Sequence, residues 1–181
     1  MRALYFIVTT ILSFVVYAFL LRLLLQLVRA DFRNPLSRAV LAFTNWLVMP
    51  LRRMIPPIGR LDTASLLALL IVQLAATLII FQLFPSQLMA GGRAVTFVDL
   101  AVYSLLQLIV TTIWFYIIII FIYALLSFIA PSTYSPAVGI LSALCDPVLS
   151  PLRRILPVVG GLDFSPLVAI VLLRALLFLI P

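Results

Sequence analysis

A thirteen-residue block, Pro50-Leu51-Arg52-Arg53-Met54-Ile55-Pro56-Pro57-Ile58-Gly59-Arg60-Leu61-Asp62, returns as Pro151-Leu152-Arg153-Arg154-Ile155-Leu156-Pro157-Val158-Val159-Gly160-Gly161-Leu162-Asp163. Eight of the thirteen positions are identical at a constant offset of 101 residues. Each copy leads into a long apolar run, so the chain reads as a tandem duplication. Two polar blocks in a chain that is 66% hydrophobic and 9% charged mark its working surface.

The apolar runs set the class. A bilayer core of about 30 Å needs roughly 20 helical residues, and a mean hydropathy of +1.34 belongs to a membrane protein. Four stretches qualify as spans: about Leu4–Val28, Ser65–Phe84, a run within Phe97–Ile129, and Pro166–Ile180. The third is too long for a perpendicular crossing and must tilt or project; the fourth is short. Ala3–Leu21 is longer than a usual signal core and lacks a convincing cleavage site, so it reads as a retained span.

Between spans one and two, and again between three and four, the chain repeats one grammar. Asn34-Pro35 and Ser135-Pro136 are helix starts, a capping residue followed by proline at the first helical position. A mostly apolar stretch of about 14 residues follows and is expected to close at Pro50 or Pro151. That is too short to span and predicts an amphipathic helix, interfacial or re-entrant, with Trp46 at headgroup level. The expected fold is therefore an all-α membrane protein: four transmembrane helices plus two short interfacial or re-entrant helices. It divides into repeats 1–96 and 97–181, each a span, a short helix, the arginine elbow and a span. Two spans return the chain to its starting side, so the repeats are parallel and related by a pseudo-twofold axis near the membrane normal, unlike the inverted repeats of many transporters.

All 12 basic residues are arginine, all 5 acidic residues are aspartate, and histidine is absent. Zinc, haem and di-iron carboxylate sites are improbable with such an inventory, and Cys145 alone cannot form an internal disulfide. No cofactor, metal or catalytic residue is expected. The formal charge of +7 fits anionic lipid headgroups better than nucleic acid in so apolar a chain. Eight arginines (29, 33, 38, 52, 53, 60, 153 and 154) fall in the two long connections, against Arg2 and Arg93 on the other side. Positive-inside bias puts the connections in the cytoplasm and both termini outside.

The span ending near Asn-Pro or Ser-Pro, the Pro-Leu-Arg-Arg-hydrophobic-hydrophobic-Pro sequence, Gly-x-Leu-Asp and a second span together resemble the YggT family. The resemblance covers nearly the whole chain in two copies, as in proteobacterial members. The second copy departs at Gly161, where the first has Arg60, and at Val158, where the first has Pro57. The resemblance implies small integral membrane proteins linked with osmotic-stress tolerance and potassium homeostasis. Others of the family are associated with cell division, plastid nucleoid distribution and assembly of a photosynthetic cytochrome complex. It implies no enzymatic activity.

For Arg52, Arg53, Arg153 and Arg154 two roles stand: topology anchors on lipid phosphates, or defined docking sites for anionic headgroups or an acidic protein segment. The elbow around them comprises Pro50, Pro56, Gly59 and Asp62, and Pro151, Pro157, Gly160 and Asp163. Asp62 and Asp163 cap spans two and four or pair with a block arginine. An aspartyl-protease dyad is disfavoured, since neighbouring arginines would keep both aspartates ionised. Arg22 is expected to snorkel to headgroups, and Arg174 to snorkel outward or meet Asp99. A polar seam of Gln73, Thr77, Gln82, Ser104, Gln107, Thr111 and Thr112 carries the rival reading, a small oligomeric channel or transporter affecting osmotic balance. The expected function is a non-enzymatic assembly, stability or osmotic-stress factor working through lipids, membrane protein partners or its own oligomer.

Overall fold

Long runs of Leu, Ile, Val and Phe, free of internal proline and glycine, leave helix as the conformation that satisfies every backbone group without water. The computed structural model describes residues 2–30, 34–56, 62–85, 95–129, 135–155 and 163–180. They form six helices: α1 Arg2–Leu27, α2 Pro35–Met54, α3 Thr63–Leu83, α4 Phe97–Ile129, α5 Pro136–Ile155 and α6 Ser165–Leu177. Three of them, α1, α3 and α4, are long and apolar enough to cross a membrane. At 1.5 Å per residue, the 26, 21 and 33 residues of α1, α3 and α4 extend about 39, 32 and 50 Å. The 13 helical residues of α6 extend only about 20 Å.

Both expected helix starts are present. Asn34 Oδ1 accepts the Leu36 amide at 3.0 Å, and Ser135 Oγ accepts the Val138 amide at 3.3 Å. At the N-terminus of α4, Thr96 Oγ1 accepts the Asp99 amide while Asp99 Oδ2 accepts the Thr96 amide, a reciprocal capping box.

The amphipathic helices do not stop where the prolines are. Pro50 lies inside α2, and Pro147 and Pro151 lie inside α5, so each helix runs 20 residues and ends at the arginines. An internal proline removes one hydrogen bond and crowds the carbonyl four residues back, but it does not prevent the next turn. The Ile55 amide bonds the Leu51 carbonyl at 2.9 Å, carrying helical hydrogen bonding past Pro50. The buried positions of α5, Ile140, Leu144, Cys145 and Leu149, keep helical spacing up to the last turn. Arg52-Arg53 and Arg153-Arg154 then occupy the last turns, where cations suit the negative end of the helix dipole.

The chain divides into two compact units, Met1–Leu23 with Val40–Ile109, and Leu24–Ala39 with Val110–Pro181. In the first, α3 buries Ala64, Ser65, Ala68, Leu69, Gln73, Ala76 and Thr77 along one face. Four of these are alanine or serine, which let helix backbones approach closely. Phe19 is fully buried and its ring meets that of Trp46 edge to face at 6.1 Å. Tyr5 and Phe84 make a second such pair at 5.2 Å.

In the second unit α5 packs on α6. The end of α1 also belongs here. Ala30 N–H bonds the Leu25 carbonyl and Arg29 N–H bonds the Gln26 carbonyl, with Arg29 at φ 53°. This is a Schellman turn with arginine in the left-handed position that usually takes glycine. Asn34, besides capping α2, donates Nδ2–H to the Pro136 carbonyl at 2.7 Å and so joins the starts of α2 and α5.

Candidate functional site: a duplicated arginine–aspartate clasp

The first arginine of each pair is held by the aspartate ten residues later. Arg52 pairs with Asp62, and Arg153 Nε donates to Asp163 Oδ2 at 2.8 Å. The separation is the same in both copies because each clasp joins the last turn of an amphipathic helix to the start of the next apolar one. Asp62 sits at the N-cap position of α3, yet its side chain makes no capping bond; it pairs with Arg52 and accepts Ser65 Oγ–H at 2.8 Å. Asp163 lies one residue before the N-cap of α6 and accepts the Ser165 amide at 2.9 Å. Asp62 thus pairs without capping, whereas Asp163 both pairs with Arg153 and takes an amide at the start of α6.

The second arginine of each pair is different. Arg53 and Arg154 are exposed and have no side-chain partner among the described residues. Of the elbow, Pro50 and Pro151 are helical, Pro56 is exposed after the end of α2, and its carbonyl accepts Thr63 Oγ–H at 2.8 Å. Gly59, Pro157 and Gly160 lie outside the described residues, as do Arg33, Arg60 and Arg93.

Behind the first clasp lies a network that sequence reading missed. Arg22 does not snorkel: it is 1% exposed and bonds three helices together. Its Nη1 donates to Thr44 Oγ1 at 2.7 Å and Asn45 Oδ1 at 2.8 Å, and its Nε donates to Ser65 Oγ at 3.2 Å. Ser65 in turn donates to Asp62, so Arg22, Ser65, Asp62 and Arg52 form one chain of hydrogen bonds. A buried guanidinium needs such a set of acceptors to offset its lost hydration.

The second clasp is built on other residues. At the constant offset, Arg22, Thr44 and Asn45 become Tyr123, Cys145 and Asp146. Arg153 now reaches Asp146 and the Tyr123 hydroxyl, each at 3.4 Å, and its guanidinium lies 5.8 Å from the Tyr123 ring centroid. Partial burial alone would raise the Asp163 carboxyl. The Ser165 hydroxyl and amide and the Arg153 guanidinium outweigh it and hold Asp163 below its ordinary range. Burial likewise opposes the Arg153 charge, but its bonds to Tyr123 and Asp163 place the guanidinium above its usual value. Burial pushes the Cys145 thiol up to about 12.

The supposed polar seam is not uniform. Gln73, Thr77 and Ser104 are buried, whereas Gln82 and Gln107 are exposed. The Thr77 hydroxyl donates to the Gln73 carbonyl of its own helix at 3.1 Å. Arg174 stacks over Trp114 at 4.8 Å, while Asp99 takes part in the capping box of α4.

Six helices, three of membrane-crossing length, with an arginine–aspartate clasp repeated at one offset, define a helical membrane protein built on a duplicated plan. The family model described as CCB3/YggT matches residues 1–83 and 102–180, and the chain belongs to that family. It is 35% identical over 169 residues to a Pseudomonas aeruginosa protein, covering 93% of this chain and 83% of that one. To the YggT protein of Escherichia coli strain K12 it is 33% identical over 174 residues, covering 96% and 86%. A Vibrio alginolyticus protein is 33% identical over 180 residues, covering 99% and 94%. No solved structure matches the chain.

Proposed function

We propose that this protein is a non-enzymatic, multi-pass protein of a bacterial inner membrane that docks anionic phospholipid headgroups through Arg53 and Arg154. The observation that carries this reading is the recurrence of one geometry: in each copy the first arginine is neutralised by an aspartate and the second is left exposed. A clasped arginine keeps the helix end in place; the exposed one meets phosphate. Four crossings complete the arrangement, α6 with the residues to Ile180 supplying the fourth through local thinning of the bilayer. The amphipathic α2 and α5 lie at the cytoplasmic face, and both termini lie outside. Repeats 1–96 and 97–181 each contribute one docking end.

On this basis the protein supports assembly, stability or osmotic-stress tolerance by holding lipid and membrane protein partners together. Both clasped aspartates are tied to guanidinium groups, which argues against a carboxylate dyad sharing a proton.

The test is lipid retention by the purified protein in nanodiscs of phosphatidylcholine with 0 or about 30% phosphatidylglycerol, a range over which surface charge changes strongly. The double variant Arg53→Gln, Arg154→Gln is expected to lose preferential phosphatidylglycerol retention while keeping its helical content. Unchanged retention removes the docking role. Potassium flux through the same protein in liposomes would favour the channel instead.

A further inference from the structure

Arg174 lies on an apolar helix, is exposed, and makes no side-chain hydrogen bond among the described residues. Its guanidinium is stacked over the Trp114 ring of α4 at 4.8 Å, both residues belonging to the second unit. Two counts from the second clasp agree on its depth. Arg174 is nine residues beyond Ser165, which begins α6 beside the Arg153–Asp163 clasp, and Trp114 is nine residues before Tyr123, whose hydroxyl accepts from Arg153. Nine helical residues are about 13.5 Å, near the middle of the core whether it is about 30 Å or thinned to the roughly 24 Å that residues 165–180 can span. The stack holds the cation at that depth instead of extending it toward either headgroup region. A ring satisfies one face of a guanidinium; its N–H donors remain without acceptors, which is costly in hydrocarbon.

The first copy shows the same face closed. Offset by 101 residues, Arg174, Leu177 and Phe178 correspond to Gln73, Ala76 and Thr77. Those three are 5%, 6% and 3% exposed, whereas Arg174 is exposed and Phe178 is 87% exposed. Nearer the clasp the copies agree: Ala64, Ser65 and Ala68, and Ser165, Pro166 and Ala169, are all buried. The far half of α6 is therefore an uncovered version of a face that the chain itself covers in α3.

We infer that this face, centred on Arg174 and backed by Trp114, receives a transmembrane helix of a different protein carrying an acidic residue near mid-bilayer. Charge selects the occupant. A second copy of this chain brings no matching carboxylate, since its five acidic residues are Asp31, Asp62, Asp99, Asp146 and Asp163. Asp62, Asp99 and Asp163 stand at helix starts, Asp146 on the amphipathic α5, and Asp31 between α1 and α2. Self-pairing through α6 would instead bring two Arg174 cations together in a medium of low dielectric constant. This inference rests on the proposed crossing of the bilayer by α6, with its clasp end at the surface, and not on lipid docking at Arg53 and Arg154.

The probe is a polyleucine transmembrane peptide with one central glutamate, with central-glutamine and all-leucine peptides as controls. Energy transfer from labelled full-length chain to labelled peptide is measured in phosphatidylcholine vesicles. Association with the glutamate peptide is expected to be at least tenfold tighter than with either control, and Arg174→Gln should abolish the difference with helical content intact. Equal association of all three peptides, or a preference that survives Arg174→Gln, overturns the inference. Transfer between two differently labelled copies of the chain that is lost on Arg174→Gln also overturns it, because the face would then be occupied by the chain itself. In the Trp46→Phe chain Trp114 is the sole tryptophan; strongest quenching by shallowly brominated lipid would place the stack at the headgroups and equally reject it.

Discussion

Arg22 on α1 and Ser65 on α3 share a hydrogen bond of 3.2 Å inside the first unit, and the Ser65 hydroxyl in turn donates to Asp62 at 2.8 Å. The buried cation and the exposed clasp are thus parts of one network. Arg22→Ala should destabilise the protein by about 2–4 kcal/mol, through lost hydrogen bonds and the space left behind. Arg22→Lys should recover less than half, because a compact ammonium cannot reach Thr44, Asn45 and Ser65 together. Denaturant unfolding in mild detergent, followed by circular dichroism, measures both.

The second clasp gives a pH dependence of definite sign. The Asp163 carboxyl is held below its ordinary value, so the folded state binds its proton less readily than the unfolded chain does. Its stabilising contribution is fully present above the unfolded carboxylate range and is lost as pH falls through the lower folded value. Melting temperatures between pH 7 and pH 3 should fall, and Asp163→Asn should flatten part of that fall.

A double-mutant cycle separates the clasp from its surroundings. Arg153 and Asp163 side chains are 35% and 34% exposed, so solvent screens their attraction. The coupling between Arg153→Gln and Asp163→Asn is expected to be about 0.5–1 kcal/mol.

Cys145 is buried, and its thiol is pushed up to about 12. Maleimide at pH 7.5 should leave the folded protein unlabelled and modify one site per chain after denaturation, read by mass spectrometry.

Arg29 occupies a left-handed backbone position without being glycine. Arg29→Gly should stabilise the protein by up to about 1 kcal/mol, since glycine adopts that conformation without the steric cost of a Cβ. A rise in detergent melting temperature is the readout.

Hydrophobic run length announced α1, α3 and α4, and Asn34-Pro35 and Ser135-Pro136 announced the starts of α2 and α5, because those signals are local. The ends of α2 and α5 were not legible: proline is a breaker by propensity, but continued burial along Leu144, Cys145 and Leu149 carried α5 past Pro147. The arginine–aspartate pairs were visible as one of two options, because both partners lie within the repeated block. Arg22 was misread as a snorkelling residue because its acceptors are neutral and lie 22, 23 and 43 residues away. No signal marked it: Arg22, Thr44 and Asn45 change between the copies, to Tyr123, Cys145 and Asp146, but so do most positions outside the thirteen-residue block.

That exchange makes the halves non-interchangeable. Arg22, Arg52 and Asp62 sum to one positive charge; Arg153, Asp146 and Asp163 sum to one negative charge. A protein assembled from two first halves would bury two cations, and one assembled from two second halves would gather four carboxylates around two arginines. Splitting the chain into identical subunits would therefore not reproduce it, because each half keeps a charge balance of its own.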